Sequence, residues 1–123
     1  MASTFSGDIS MNEQDRETTQ MTVDLGVNRR GELNEIFLRT FGKAVQFMMR
    51  AMFGDESAIP VKVKGNKREI QAFAKTMGRE KKYMKTAAKY GLNNPKTYKS
   101  KYKLRKAAAN FEKTTGIKWP FKG

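Results

Sequence analysis

The chain has 123 residues, with 25 Lys and Arg against 12 Asp and Glu and a formal net charge of +13. It has neither Cys nor His. That excludes disulfides, Cys- or His-ligated metal centres, a Cys nucleophile and a Ser-His-Asp triad.

The length suits one domain. No apolar run approaches the roughly 20 residues that span a bilayer, and the first 20 residues hold no apolar signal-peptide core. The expectation is a protein that does not work in a membrane, is not secreted through a signal peptide, and needs no cofactor, metal or small-molecule substrate.

The charge is divided along the chain. Residues 1–56 carry nine acidic and six basic side chains, a net of −3. Residues 57–123 carry 19 basic and three acidic ones, a net of +16. Such an asymmetry bears on partners, not on fold.

Residues 1–30 read as an extended polar arm, and 31–123 as a basic α-rich domain. The first 24 residues are rich in Thr, Ser, Gln, Asp and Glu and follow no helical or strand period. Alone in water they cannot bury enough surface to offset their ordering entropy.

From about Glu32 to Phe53, Leu33, Phe37, Phe41, Ala44, Met48 and Met52 step by three and four, which predicts one helical face. Ile36, Leu38, Val45 and Met49 widen it. So broad a stripe is either a core helix or a helix that also packs on another chain. Gly54 is placed to end it.

Val61-Lys62-Val63-Lys64 alternates as a short half-buried strand. It needs a second strand, from Thr22–Leu25, the C-terminal tail or another subunit.

Asn66 with Glu69 three residues on predicts a capping box. The helix that follows buries Ile70, Phe73, Ala74, Met77, Met84 and Ala88, and ends at Tyr90-Gly91-Leu92 in a Schellman motif. Pro95 is placed to open a third helix, which runs from about Lys96 or Lys101 to Thr115 with Leu104, Ala108 and Phe111 as its seam and Ala107 beside them, and Gly116-Ile117 repeats the ending by Gly and an apolar residue. Trp119 and Phe121 are expected to pack back on the second and third helices. The alternative is an aromatic hook into a neighbour. The expected fold is mainly α with a short β-strand: three helices plus an N-terminal arm.

The strongest functional signal is a basic, tyrosine-rich stretch. Lys75, Arg79, Lys81, Lys82, Lys85, Lys89, Lys96, Lys99, Lys101, Lys103, Arg105 and Lys106 are interleaved with Tyr83, Tyr90, Tyr98 and Tyr102. Lys and Arg neutralise phosphates and release counterions. Tyr stacks on unpaired bases or donates to phosphate. The plain alternative is a solvated face whose Lys stems cover apolar surface. The cations from Lys75 to Arg105, with Tyr98 and Tyr102, are the candidate nucleic-acid contacts. Lys is a point charge, so base readout is not expected. Candidate protein-interface residues are Phe37, Phe41, Met48, Met49, Met52, Trp119 and Phe121.

Gly65-Asn66-Lys67 lacks the length of a phosphate loop. The acidic pairs Asp55-Glu56 and Glu32 with Glu35 have no third ligand, so no catalytic residue is assigned.

Val61-Lys62-Val63-Lys64-Gly65, Tyr90-Gly91-Leu92-Asn93-Asn94-Pro95-Lys96-Thr97-Tyr98 and Gly116-Ile117-Lys118-Trp119-Pro120-Phe121-Lys122 together resemble small basic virion or prohead structural proteins of large contractile-tailed bacteriophages. The likeness covers roughly residues 60–123. It implies a component near packaged DNA or a neighbouring shell or tail protein, located in the virion or host cytoplasm. The expected function is therefore a non-enzymatic assembly protein. The arm and apolar helix would bind other structural subunits. The basic face would contact nucleic acid or an acidic protein surface. The alternatives are a free-standing, non-sequence-specific nucleic-acid-binding regulator, or an enzyme built on Lys, Tyr and Glu alone.

Overall fold

A computed structural model describes residues 21–121. The expectations for the arm over residues 1–20 lie outside the described residues.

The elements run β1 (Met21–Asp24), α1 (Glu35–Met52), β2 (Val61–Lys64), α2 (Lys67–Tyr90) and α3 (Pro95–Thr115). The protein is mainly α, with one short two-stranded sheet. β1 and β2 pair in parallel, with Met21 opposite Val61 and Asp24 opposite Lys64. Parallel strands need a long crossover, and α1 supplies it. Of the three sources considered for a second strand, the segment around Thr22–Leu25 is the one used. Residues 21–27, counted above with the arm, belong to the packed body. Val23, Leu25 and Val27 are buried in the core.

Four aromatic rings centre that core. Phe41 of α1, Phe73 of α2, Phe111 of α3 and Trp119 of the tail all touch one another, with ring centroids 5.3 to 6.4 Å apart. Such pairs add to plain area burial. Phe121 packs edge-on against Trp119. Trp119 packs on α2 and α3 as expected, and also on α1, whereas Phe121 lies beside α1, where it lines a groove with Leu38, Gly42 and Gln46.

The broad stripe of α1 divides by depth. Phe41, Ala44, Val45 and Met49 are buried. Phe37, Met48 and Met52 are half-buried around them. Ile36 is 69% exposed and Leu38 36%.

Helix ends follow local chemistry. Asn66 accepts from the Glu69 amide at 2.9 Å, and Glu69 accepts from the Asn66 amide at 2.8 Å, completing the capping box. Asn94 caps α3 with Pro95 as its first residue. The cap of α1 is Phe53, with Gly54 following at φ 92°. Gly116 is left-handed (φ 74°, ψ 1°) and delivers the buried Ile117. Gly91 differs from expectation. Its ψ of 168° is extended, and Leu92 is 65% exposed, so α2 ends without a Schellman contact.

The buried face of α2 also differs. Ala74 and Ala88 are exposed, and Ile70 and Met84 are more than a third exposed. Glu69, Ala72, Thr76, Glu80 and Thr86 are buried instead. The helix turns this side inward because α3 packs along its length and carries small partners there, Ser100 and Ala107. Among the described residues no helix is long and apolar enough to cross a membrane.

Candidate polyanion groove

α2 and α3 form an antiparallel hairpin across the turn at Gly91–Asn94. Hydrogen bonds fix its register. Thr76 Oγ1 donates to the Ala107 carbonyl at 3.1 Å, Ser100 Oγ to Thr86 Oγ1 at 3.2 Å, and Thr97 Oγ1 to the Gly91 carbonyl at 2.6 Å. Lys82 therefore lies level with Lys103, Lys99 with Ala87, and Lys96 with Tyr90.

Along one side of this hairpin runs a groove of about 570 Å³. Ala74, Gly78, Thr86 and Ser100 give it a floor of small residues, and Lys75, Arg79, Lys82, Tyr90, Lys96, Lys99 and Lys103 stand around it. The five lysines are exposed and Arg79 is half-buried. The register makes the six cations one staggered track. Lys75, Arg79 and Lys82 come from the α2 wall, and Lys103, Lys99 and Lys96 continue from the α3 wall toward the turn.

Among the described residues no carboxylate lines this groove. The sequence has no Asp or Glu between Glu80 and Glu112. Glu80 points away, into the core, where it meets Trp119. The ion pairs among the described residues are Arg29–Glu69, Arg30–Asp24, Arg30–Glu32 and Arg50–Asp55, none of them in the groove. The groove cations are thus free of carboxylate partners among the described residues. Their repulsion is relieved by solvent and by anions.

The floor hydroxyls are engaged within the hairpin. Ser100 donates to Thr86, and Thr86 donates to the Lys82 carbonyl at 2.7 Å. The floor therefore presents no free hydroxyl proton to read a base edge. Recognition falls to point charges, which sense phosphate or carboxylate without sequence.

Tyr90 closes the turn end. Its hydroxyl accepts from Lys96 Nζ at 3.3 Å, and Lys96 and Lys89 lie 4.5 and 5.3 Å from its ring centre. The hydrogen bond from Lys96, then the charges of Lys89 and Lys96, hold its phenol below the ordinary value. A tyrosine held this way reports the local positive field.

The candidate contacts divide. Lys75, Arg79, Lys82, Lys96, Lys99 and Lys103 are brought together. Lys81 turns toward α1, 6.0 Å from the Phe53 ring centre. Lys85, Lys89, Lys101 and Arg105 lie outside the lining. So do Tyr98 and Tyr102, which are 54% and 63% exposed. Tyr98 donates to Asn93 Oδ1 at 3.3 Å, and Tyr102 carries Lys106 over its ring. Tyr90 takes the groove position that the candidate set gave to those two. The floor residues also escaped it, although Ala74 and Gly78, four apart beside the cations, are the sequence signal of a groove.

The candidate interface residues divide as well. Phe41, Met49 and Trp119 are at most 7% exposed, inside the chain's own core, and offer no surface to a neighbour. Phe37, Met48, Met52 and Phe121 are half-buried against that core. Met48 and Met52 also line an apolar groove of about 530 Å³ with Ile59, Pro60 and Val61.

Among the described residues no group of His, Cys, Asp and Glu is placed to hold a metal ion. Comparison with protein-family models, with curated proteins and with solved structures finds no match.

Proposed function

We propose that this protein is a non-enzymatic assembly protein that holds a polyanion in the α2–α3 groove and meets protein neighbours through its N-terminal arm and the outer side of α1. One observation carries the first half: six cations face one groove that, among the described residues, no carboxylate lines. The exposed Ile36 and Leu38 and the apolar groove beside Met48 and Met52 support the second. Placement in a tailed-phage particle rests on the resemblance of residues 60–123 alone.

A second reading has its own support. Among the described residues the groove is built from α2 and α3 only. A free-standing nucleic-acid-binding regulator needs no more than that hairpin and the core that anchors it. Light-scattering mass of the full chain at low and high salt, with and without DNA, separates the two. A salt-resistant oligomer supports the assembly protein. A monomer that binds DNA only at low salt supports the regulator.

A further inference from the structure

The groove cations are arranged as a line, not a cluster. Counted by register, Lys75, Arg79, Lys82 level with Lys103, Lys99 and then Lys96 follow one another from the core end of the hairpin to its turn. The line begins on the α2 wall and ends on the α3 wall. The span from Lys75 to the level of Tyr90 is about 22 Å at roughly 1.5 Å per residue.

A compact anion such as a single phosphate or a mononucleotide touches two or three neighbouring cations and leaves the rest unpaired. A long anion with regular charges engages them all. Successive phosphates of one strand stand about 6–7 Å apart, roughly twice their 3.4 Å rise along a duplex axis, so about four fit the track. The floor of Ala74, Gly78, Thr86 and Ser100, with its hydroxyl protons used within the hairpin, leaves room for a backbone and offers no hydroxyl donor to a base.

We infer that the α2–α3 groove binds one phosphodiester backbone, about four nucleotides long, which crosses from the α2 wall to the α3 wall. The inference rests on the reading of the groove as a polyanion site and names its ligand. The backbone is either that of a single strand or one strand of a duplex; both have the same row of phosphates. An acidic peptide is the competing class. Its carboxylates sit on side chains and lack the fixed one-per-nucleotide spacing that matches this line.

The test measures affinity of the full chain at low salt for oligodeoxythymidylates of increasing length, for a short DNA duplex, and for polyglutamate. Affinity should climb steeply up to about four nucleotides and then rise only by the statistical gain of extra registers. Lys75→Ala and Lys96→Ala, at opposite ends of the track, should each weaken a long oligonucleotide several-fold. Each should also lower the magnitude of the salt slope by about 0.7 on a single strand. Lys43→Ala, on α1, should change neither.

A plateau at two or three nucleotides would overturn the track and leave the polyanion reading standing. Polyglutamate binding without oligonucleotide binding would do the same for the phosphodiester. Failure of both probes to bind would remove both readings. Equal affinity for single strand and duplex of matched length is expected if only one backbone is held. A duplex preference above tenfold would show that a second backbone is engaged.

Discussion

The indole Nε1–H of Trp119 donates to Glu80 Oε1 at 2.9 Å, joining the tail to the middle of α2. Both side chains are buried, Glu80 to 3% exposure and Trp119 to 7%. Burial pushes the Glu80 carboxyl above its ordinary value of 4.5, and the indole hydrogen bond opposes part of that rise. The only Trp of the chain thus holds the carboxylate nearest the groove on the core side of the helix.

Trp119→Phe keeps an aromatic ring but leaves Glu80 buried without its donor. It should destabilise the fold by about 2–4 kcal/mol, from the orphaned acceptor and the cavity together. Urea unfolding followed by far-UV circular dichroism checks this. A loss below about 1 kcal/mol would mean that the pair contributes little.

The same carboxyl sets a pH dependence of unusual sign. A folded-state value above the unfolded one means that the native state binds the proton more tightly. Glu80 therefore opposes folding above its raised value, and stability returns as pH falls toward 4.5. Glu69 and Asp24 act in the opposite sense. Arg29 holds Glu69 low, and the Gly26 amide, then Arg30, hold Asp24 low, so their contribution is lost as pH falls through those lowered values. The urea midpoint should rise as pH falls from neutral to the mid-4 range and drop below it. In Glu80→Gln the rise should disappear. A wild-type midpoint that falls steadily over the whole range would contradict this.

Two glycines separate backbone strain from collision. Gly54 has φ 92° with no atom within 4 Å of an added Cβ, so Gly54→Ala should lose about 1 kcal/mol. Gly116 has φ 74°, and a Cβ there runs into the Asn28 side chain. Gly116→Ala should lose more, about 2 kcal/mol or above, with Asn28→Ala restoring the difference. Thermal melts of the three variants decide; equal losses at both glycines would remove the Asn28 contact from the account.

Ile36 is the most exposed large apolar residue of the described chain. Ile36→Asp should leave the melting temperature within a few degrees of wild type, because the position touches no core. If α1 meets a neighbour, the same change should convert an oligomer to monomer by light scattering. An oligomer of unchanged mass would exclude this side of α1 from the contact.

Local chemistry made most of the elements legible. The capping box at Asn66 and Glu69, Pro95 at the start of α3, the Val61–Lys64 alternation and Gly116 before Ile117 each act within a few residues, and the structure uses each one. What needed the third dimension was harder to read. Thr76, Glu80 and Thr86 look like surface residues on composition, yet α3 covers the two threonines and Trp119 of the tail covers Glu80. Ile70 and Met84 look like core, yet α2 is rotated toward small partners on α3. In the candidate site, charge marked the stretch of sequence that lines the groove but not which of its residues do so. Only the register of the hairpin separates Lys82 and Lys99 from Lys85 and Arg105, and Tyr90 from Tyr98 and Tyr102.

The central claim is that the groove cations bind a polyanion. The most direct measurement titrates a labelled oligonucleotide with wild type and with the Lys82→Glu, Lys99→Glu double variant from about 50 to 500 mM salt. Both positions are exposed, so the fold should be unaffected. Wild type should lose affinity with a log–log slope of about −3 to −4, as about four neutralised phosphates require. The variant should bind at least tenfold more weakly at the low-salt end, with a slope shallower by about two. Equal affinity and equal slope in the two proteins would contradict the assignment of the groove.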